Sequence, residues 1–554
     1  ISAVSERIPP FVVGDGVNTI SKLVEIENMN PLRGCGHEKP LTKIKLDGVS
    51  ISVLEKKGLT PDSIPKKGER IFLRENGNLS TGGKAIDCTD IIHPDNAKIA
   101  IDAANIIGLD IAGIDMIAPD ISKSILETGG AIVEVNAAPG IRMHLYPYMG
   151  KPRNVAKDII DMLYPAGKDF SIPIISVTGT NGKTTTVRLI SHILSMQGLK
   201  VGMATTNGIF IGKECVAEGD NSGPLSAKFL LSKDIDAAVL ETARGGLIRG
   251  GLAYDMADVG IITNIADDHL GLDGINDLDD LAKVKALVAE AVKPNGFAVL
   301  NGMDEKTPFI LERINCNVFL FSLNEPDNIN KNFNYVYCKD EFIYINNRKF
   351  MSIREIPITM NGLASFNIEN AMAATCALYA LKVPENIIKE GLKTFLPNDK
   401  HNKGRLNIFE VNDFNVMLDY GHNVSGYEAV INTLKKLEFN KIIGVIGAPG
   451  DRQDKNIEKI GKLCANAFDR IIIKEDRDLR GRKPGEVASI LYNGIISQNY
   501  PSENVIIELN EEKALKEALN MAEKNDLIVV FYEKFDPLYN IITEYSKEKV
   551  LVLK

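Results

Sequence analysis

Apolar residues in this chain fall into short runs separated by segments whose apolar positions recur three and four apart. Between about 170 and 300 the runs Ile174–Val177, Ala237–Leu240, Val259–Thr263 and Ala298–Leu300 each end at polar residues. A short apolar run bounded by polar residues reads as a buried strand, and the three-to-four spacing reads as a helix. Strand alternating with helix predicts a parallel, doubly wound sheet with its ligand beyond the strand C-termini. Residues 315–360 predict short strands and turns (Phe319–Ser322, Tyr335–Tyr337, Phe342–Ile345), then a helix over about 367–382. After Pro397 and a charged loop the alternation resumes at Val416–Leu418, Ile442–Ile446, Arg470–Ile473 and Leu527–Phe531, predicting a second, smaller α/β domain. Residues 1 to about 165 show strand-like runs, Gly/Pro turns and one helix pattern near 94–108, and the stretch Pro147–Pro165 reads as a helix plus linker. The pattern divides the chain at 1–165, 166–397 and 398–554.

One junction in this pattern carries chemistry. The run ending at Val177 feeds Thr178-Gly179-Thr180-Asn181-Gly182-Lys183-Thr184-Thr185-Thr186, after which Val187, Leu189, Ile190, Ile193 and Leu194 begin a helix. Strand, glycine turn and helix N-terminus aim backbone N–H groups and a positive dipole end at an anion. Lys183 would neutralise the β- and γ-phosphates of a nucleotide, and the Thr184 hydroxyl would reach Mg²⁺. The usual phosphate loop has a Gly five residues before the Gly of its Gly-Lys pair. Here Val177 holds that place and Gly179 sits three before Gly182, so the loop is a shortened variant. A plain surface turn accounts for neither the lysine nor the threonines.

Composition narrows the class. Of the 554 residues, 44% are hydrophobic and 25% charged, as in an ordinary globular protein of three or four domains. A net charge of −9 over this length argues against nucleic acid as the main partner. Seven cysteines stand singly with no Cys-x-x-Cys pair, which suits a reducing compartment and indicates neither a zinc site nor a disulfide framework. No apolar stretch approaches the ~20 residues of a membrane span, so a cytoplasmic protein is expected. The chain opens at Ile1 in what reads as a strand, and is expected to be the C-terminal part of a longer protein.

Two strand ends lie beside the phosphate loop. One reads Val239-Leu-Glu241-Thr-Ala-Arg244-Gly-Gly246, placing a carboxylate where it can hold Mg²⁺ directly or through water. The other reads Thr263-Asn-Ile-Ala-Asp267-Asp268-His269-Leu-Gly271; a lone histidine is usually structural, but its place behind two aspartates on this sheet favours a ligand role. Sixteen residues on, Lys285 lies in a helical pattern with Lys283 nearby, and on its own would be a solvated helix lysine.

These motifs together resemble the Mur ligase superfamily. The later stretches agree: Phe366-Asn367-Ile-Glu-Asn370 is similar to its HN-x-x-N helix start, Gly404-Arg405 opens the last block, and Asp419-Tyr-Gly-His422-Asn423 resembles its Asp-Tyr-Ala-His-Asn stretch. The resemblance implies that Asn367 and Asp419 approach adenine and ribose, that Arg405 reaches across to the nucleotide, and that Glu241 and His269 ligate Mg²⁺. It also aligns Lys285 with a lysine often carbamylated in the superfamily, with Lys283 as the competing candidate.

The first block carries Ser5-Glu-Arg7 through Gly14-Asp15-Gly16, Arg33-Gly-Cys-Gly-His37-Glu38-Lys39, Gly113-Ile-Asp115, and Glu134-Val-Asn136 through Arg142. Glu134 and Asn136 share one strand face because the strand period is two, and a carboxylate beside an amide oxygen suits Mg²⁺ shared with phosphates. A merely polar strand face is the competing reading. The block resembles the end of an ATP-grasp domain, whose usual lysines and glycine-rich flap would lie before Ile1. An ATP-grasp end ahead of a Mur-type ligase is similar to the cyanophycin synthetase family. The implied fold is therefore α/β: the end of an ATP-grasp domain, a Mur ligase-type P-loop domain, and a smaller Rossmann-like C-terminal domain.

That resemblance implies an ATP- and Mg²⁺-dependent amide ligase, homo-oligomeric, with L-arginine, L-aspartate and a cyanophycin primer as substrates. Asp115, Glu134 and Asn136 would hold Mg²⁺ in the first block, with Arg142 on substrate. His422 would also contact substrate, and arginine recognition needs a carboxylate for the guanidinium fork. Glu475 and Asp476 could supply it, although a solvated loop with internal ion pairs accounts for them equally; Asp451 and Arg452 belong either to a substrate loop or to a strand–helix turn. Another Mur-type amino-acid ligase and a non-catalytic polymer-binding or oligomerisation module are the rival readings.

Overall fold

The computed structural model describes all residues except 37, 168–169, 269, 327–329 and 553–554, and for 547–552 the backbone alone. It divides into two compact units, Ile1–Phe170 and Ser171–Lys554. In the first unit, two-stranded antiparallel ladders (Ser5–Ile8 with Lys84–Asp87, Phe11–Val13 with Arg70–Phe72, Gly113–Ile117 with Ala131–Asn136) are interspersed with helices Ile20–Asn28, Gly48–Glu55, Pro94–Ile107 and Val155–Leu163. Ile1–Val4 precede the first strand rather than lying within one. A small core of Val12, Ile20, Leu54, Ile71 and Leu73 holds its first half.

The second unit is built on two sheets. The larger has eleven strands: β1 Ile174–Thr178, β2 Val201–Thr205, β3 Gly208–Ile211, β4 Glu214–Glu218, β5 Ala237–Glu241, β6 Ala257–Ile262, β7 Val292–Asn301, β8 Asn317–Ser322, β9 Asn334–Lys339, β10 Phe342–Ile345 and β11 Arg348–Ser352. Their order is β4-β3-β2-β5-β1-β6-β7-β8-β9-β10-β11. The seven from β2 to β9 run parallel, and an antiparallel hairpin extends each edge. The segment 315–360, read from sequence as short strands and turns, continues this sheet, because Phe319, Phe321 and Val336 bury into the same core. The runs read as strands did not include β2, β3 and β4: β2 and β4 carry no clear apolar run, and that of β3 is only Ile209–Ile211.

Helices cover both faces. On one, α1 Lys183–Met196 and a helix at Ser365–Ala380 bury Val187, Leu189, Ile190, Ile193, Ala371, Met372 and Leu378 against Ile175, Val177, Ile261 and Val299. On the other, α2 Leu278–Glu290 packs Leu281, Ala282 and Ala286 against Ile262, Ala298 and Leu300. Because β1 lies between β5 and β6, chain connections leave it in opposite directions, and a crevice opens at its C-terminal end.

The smaller sheet comprises β12 Asn407–Val411, β13 Phe414–Asp419, β14 Ile442–Ile446, β15 Arg470–Ile473, β16 Val505–Ile507 and β17 Leu527–Phe531, in the order β12-β13-β17-β14-β15-β16. All but β12 run parallel, and helices again cover both faces. Among the described residues no helix is long and apolar enough to cross a membrane. Ile190, fully buried on the core-facing side of α1, is a direct test of this packing. Ile190→Ala should cost about 2–5 kcal/mol of unfolding free energy in urea titration, and the loop it supports should lose thermal protection with it.

Candidate functional site

The phosphate loop spans Gly179–Gly182 between β1 and α1. Gly179 (φ +149°) and Gly182 (φ +88°) hold backbone conformations unsuited to other residues. A Cβ on the first would meet Thr263 Oγ1 at 1.9 Å, and on the second Asn370 Oδ1 at 2.2 Å. The turn is stapled to the end of β6. Thr180 N donates to Asn264 O at 2.9 Å, Asn181 N to Asn264 Oδ1 at 2.9 Å, and Thr263 Oγ1 to Asn181 O at 2.6 Å. Lys183 Nζ folds back onto the carbonyls of Gly179 and Thr180, each at 3.0 Å. Thr185, next on α1, is buried and lines the same crevice.

Facing the loop, Glu241 closes β5 and is 3% exposed. Its Oε2 accepts Thr184 Oγ1 at 2.9 Å and the Thr206 backbone N–H at 3.1 Å. Its Oε1 is buried and, among the described residues, lacks a hydrogen-bond partner. A buried carboxylate oxygen left open, beside a threonine hydroxyl and an anion-binding loop, fits a hard divalent cation such as Mg²⁺. His269, the other metal candidate, lies outside the described residues; its neighbour Asp268 is buried, bonded by Asn423 Nδ2 at 3.2 Å and paired with Arg452 at 3.1 Å.

The two helix lysines separate cleanly. Lys283 points to solvent and pairs with Asp280 at 3.2 Å, whereas Lys285 is 3% exposed and lines the crevice. Burial, reinforced by Lys183 and Arg244, brings the Lys285 ammonium down to about 7, so that a large fraction is a free amine near neutrality.

The cleft, about 650 Å³, continues to the C-terminal ends of the smaller sheet. Arg405 crosses to it, with its guanidinium 4.4 Å from the Tyr420 ring centroid and Nη2 3.4 Å from Thr184 Oγ1. Asp419 is buried, its carboxyl pushed upward by desolvation, and its oxygens accept the N–H groups of Leu406 and Gly421, both at 2.8 Å. Burial likewise pushes His422 down to about 4, and its Nδ1 lies 3.0 Å from Tyr420 O. Asn181 bonds Ser425 Oγ at 2.8 Å, tying the loop to the second sheet's first helix.

Other expected residues stand differently. Asn367 is not a wall of the cleft: it donates to Ile358 O at 2.8 Å and accepts from Asn370, and Asn370, one turn on, lines the cleft instead. Glu475 is spent as a helix cap, its oxygens accepting Gly485 N at 2.8 Å and Ala488 N at 3.0 Å. Asp476 holds the buried Lys474 at 2.8 Å, and Asp451 takes Arg480 at 2.9 Å on both oxygens. Arg452, Asp451 and Asp476 do line the cleft. Thr206 and Glu533, also in its wall, had no motif to mark them, while Arg244, Tyr420 and Arg480 lay within the motif stretches without a role assigned to them.

In the first unit Asp115 lies opposite Glu134 in the ladder, and Asn136 opposite Gly113. Asp115 is ion-paired with Arg7, and Glu134 is exposed. Arg142 donates to Lys39 O at 3.1 Å. Among the described residues no three His, Cys, Asp or Glu side chains gather as a metal cage.

Lys285 sets a pH signature. An unfolded lysine titrates near about 10.4, so the unfolded chain binds the extra proton between about 7 and 10 and wild-type stability rises with pH through that window. Lys285→Met should therefore raise the urea midpoint most at about pH 6.5, with the gain over wild type closing as pH approaches about 10.

Comparison with known proteins places these features. Residues 177–378 match the family model of the Mur ligase middle domain, 404–531 the Mur ligase glutamate ligase domain, and 71–163 the RimK-like ATP-grasp domain. The chain is 44% identical over 551 residues to a cyanophycin synthetase from Synechocystis sp., covering 98% of this chain and 63% of that protein. It thus spans somewhat less than two thirds of the curated relatives it matches. A glutathione biosynthesis bifunctional protein GshAB from Clostridium perfringens is 42% identical over 164 residues, 30% of this chain and 21% of that protein. In fold, the second unit is like E. coli FolC in complex with DHPP and ADP (TM-score 0.53, 19% identity, 71% of this chain and 98% of that one). The chain is an α/β protein in which an ATP-grasp-like N-terminal part precedes a Mur ligase middle domain and a Mur ligase C-terminal domain.

Proposed function

We propose that the second unit is an ATP-dependent amide ligase that joins L-arginine to the aspartate β-carboxyl of a growing polyaspartate chain. The observation that carries this reading is the Glu241 oxygen left without a partner among the described residues, beside the Thr184 hydroxyl and in one cleft with Lys183, Lys285 and Arg405. Similarity to cyanophycin synthetases along 98% of the chain supports the choice of substrates. The first unit would belong to the partner activity that adds L-aspartate, with Asp115, Glu134, Asn136 and Arg142 as its candidate residues.

The chemistry follows from charge. A carboxylate oxygen of the acceptor attacks the γ-phosphorus of ATP, ADP departs, and an acyl phosphate results. The amine then attacks the acyl carbon, phosphate leaves, and one proton is lost as the amide forms. The first step brings anions together, so the protein's task is electrostatic. Lys183, released from the Gly179 and Thr180 carbonyls, would take up the β- and γ-phosphate charge alongside the loop N–H groups. Arg405 would add a second cation from the other wall, held over Tyr420. Glu241 and Thr184, with His269, would hold Mg²⁺, which when bound screens the phosphates from the attacking carboxylate. The Lys285 amine, partly uncharged near pH 7, is the form that CO₂ can carbamylate, giving an anion next to this metal site.

Phosphate release from ATP should require both L-arginine and an aspartate-terminated primer. Lys183→Ala should lower that turnover by about 10²-fold or more while leaving the melting profile intact. Turnover near the wild-type rate in this variant, or ATP hydrolysis indifferent to both co-substrates, would overturn the reading.

A further inference from the structure

The carboxylates that the smaller sheet brings to the cleft differ in what already occupies them. On the smaller sheet's side these are Asp419, Asp451, Asp476 and Glu533. Asp419 is closed by two backbone N–H groups, Asp451 is neutralised by Arg480 and Arg452, and Asp476 by Lys474. Glu475, beside them in sequence, caps the helix Glu486–Ile496. Glu533 differs. It stands two residues beyond β17, a central strand of its sheet, where ligands of parallel sheets collect. Arg477 N donates to its Oε2 at 2.7 Å, and Glu533 N donates to Glu511 Oε1 at 2.6 Å, fixing the residue at both ends. Among the described residues it has no cation within ion-pair distance.

We infer that Glu533 receives the guanidinium of the amino-acid substrate and sets its specificity, a conclusion that rests on the ligase reading above. An oriented carboxylate in the wall of a cleft, with acceptor capacity left over and no counter-ion, is what a guanidinium fork requires. Arg480 meets Asp451 through Nη1 alone, so its remaining guanidinium N–H groups face the same wall and could take the substrate's α-carboxylate. A neutral side chain of the same shape would leave the Glu533 charge unmatched, so the site discriminates by charge as well as by size.

L-Citrulline, the ureido analogue of arginine, isolates that charge. Glu533→Gln should raise KM for L-arginine by roughly 10- to 100-fold with KM for ATP unchanged, and the preference in kcat/KM for arginine over citrulline should fall by a similar factor. Glu533→Asp, which keeps the charge on a shorter stem, should raise KM for arginine yet retain a preference for it, and carries the test if the glutamine variant does not fold. An E533Q protein with wild-type preference, or one in which KM for ATP, primer and arginine rise in step, overturns the assignment while leaving the ligase reading in place. A wild-type protein that joins neither amino acid to primer overturns both.

Discussion

Burial of charge at the end of a parallel sheet is the constraint on which the second unit depends. Glu241 is enclosed with one oxygen bonded twice and the other open, while Lys183, Lys285, Arg244 and Arg405 converge around the same cavity. Isolated ions in such a place are costly, and here the Lys285 ammonium shows it by its lowered proton affinity. The arrangement is unfavourable for an empty fold and suited to a polyanion with its counter-ion. Stability has been set aside locally in favour of a ligand, and the surrounding apolar layers, from Val177 and Ile261 to Met372, make that tolerable.

How much of this could be read from residues alone depended on where the signal lay. The phosphate loop was legible despite its irregular spacing, because glycines, lysine and threonines stood between a buried strand and an amphipathic helix. Strands that end in the cleft were legible because parallel strands, buried on both faces, are continuously apolar. The edge hairpin β3–β4 was not, since the apolar run of β3 is only three residues long and β4 is largely exposed. Lys283 and Lys285 could not be told apart by sequence; two residues on a helix lie about 200° apart, and only packing decides which faces inward. Glu475 looked like a charged loop residue, yet its role is set by the N-terminus of a helix ten residues later. Thr206 was invisible, because its contribution to Glu241 is a backbone N–H, which any residue possesses.

The C-terminal wall shows the complementary lesson. Its run Glu475-Asp476-Arg477-Asp478-Leu-Arg480-Gly-Arg482 suggested both a binding loop and a self-neutralising one, and each description applies to different members. Lys474, Asp476 and Glu511 form a buried ion cluster, Arg482 bonds the carbonyls of Gly450 and Arg452, and Asp451 is clasped by Arg480. Such pairing fixes loop shape more than it adds stability. The residue left over, Glu533, comes from a different segment of the chain.

Asn181 belongs to two structures at once. Its backbone shapes the glycine turn at the head of α1, while its side chain is a tether to Asn423 and Ser425 on the neighbouring sheet's helix. The shape of the turn and its attachment to the second sheet's helix thus meet in one residue. Any rearrangement that parts the two sheets must break these side-chain bonds and so disturb the turn itself.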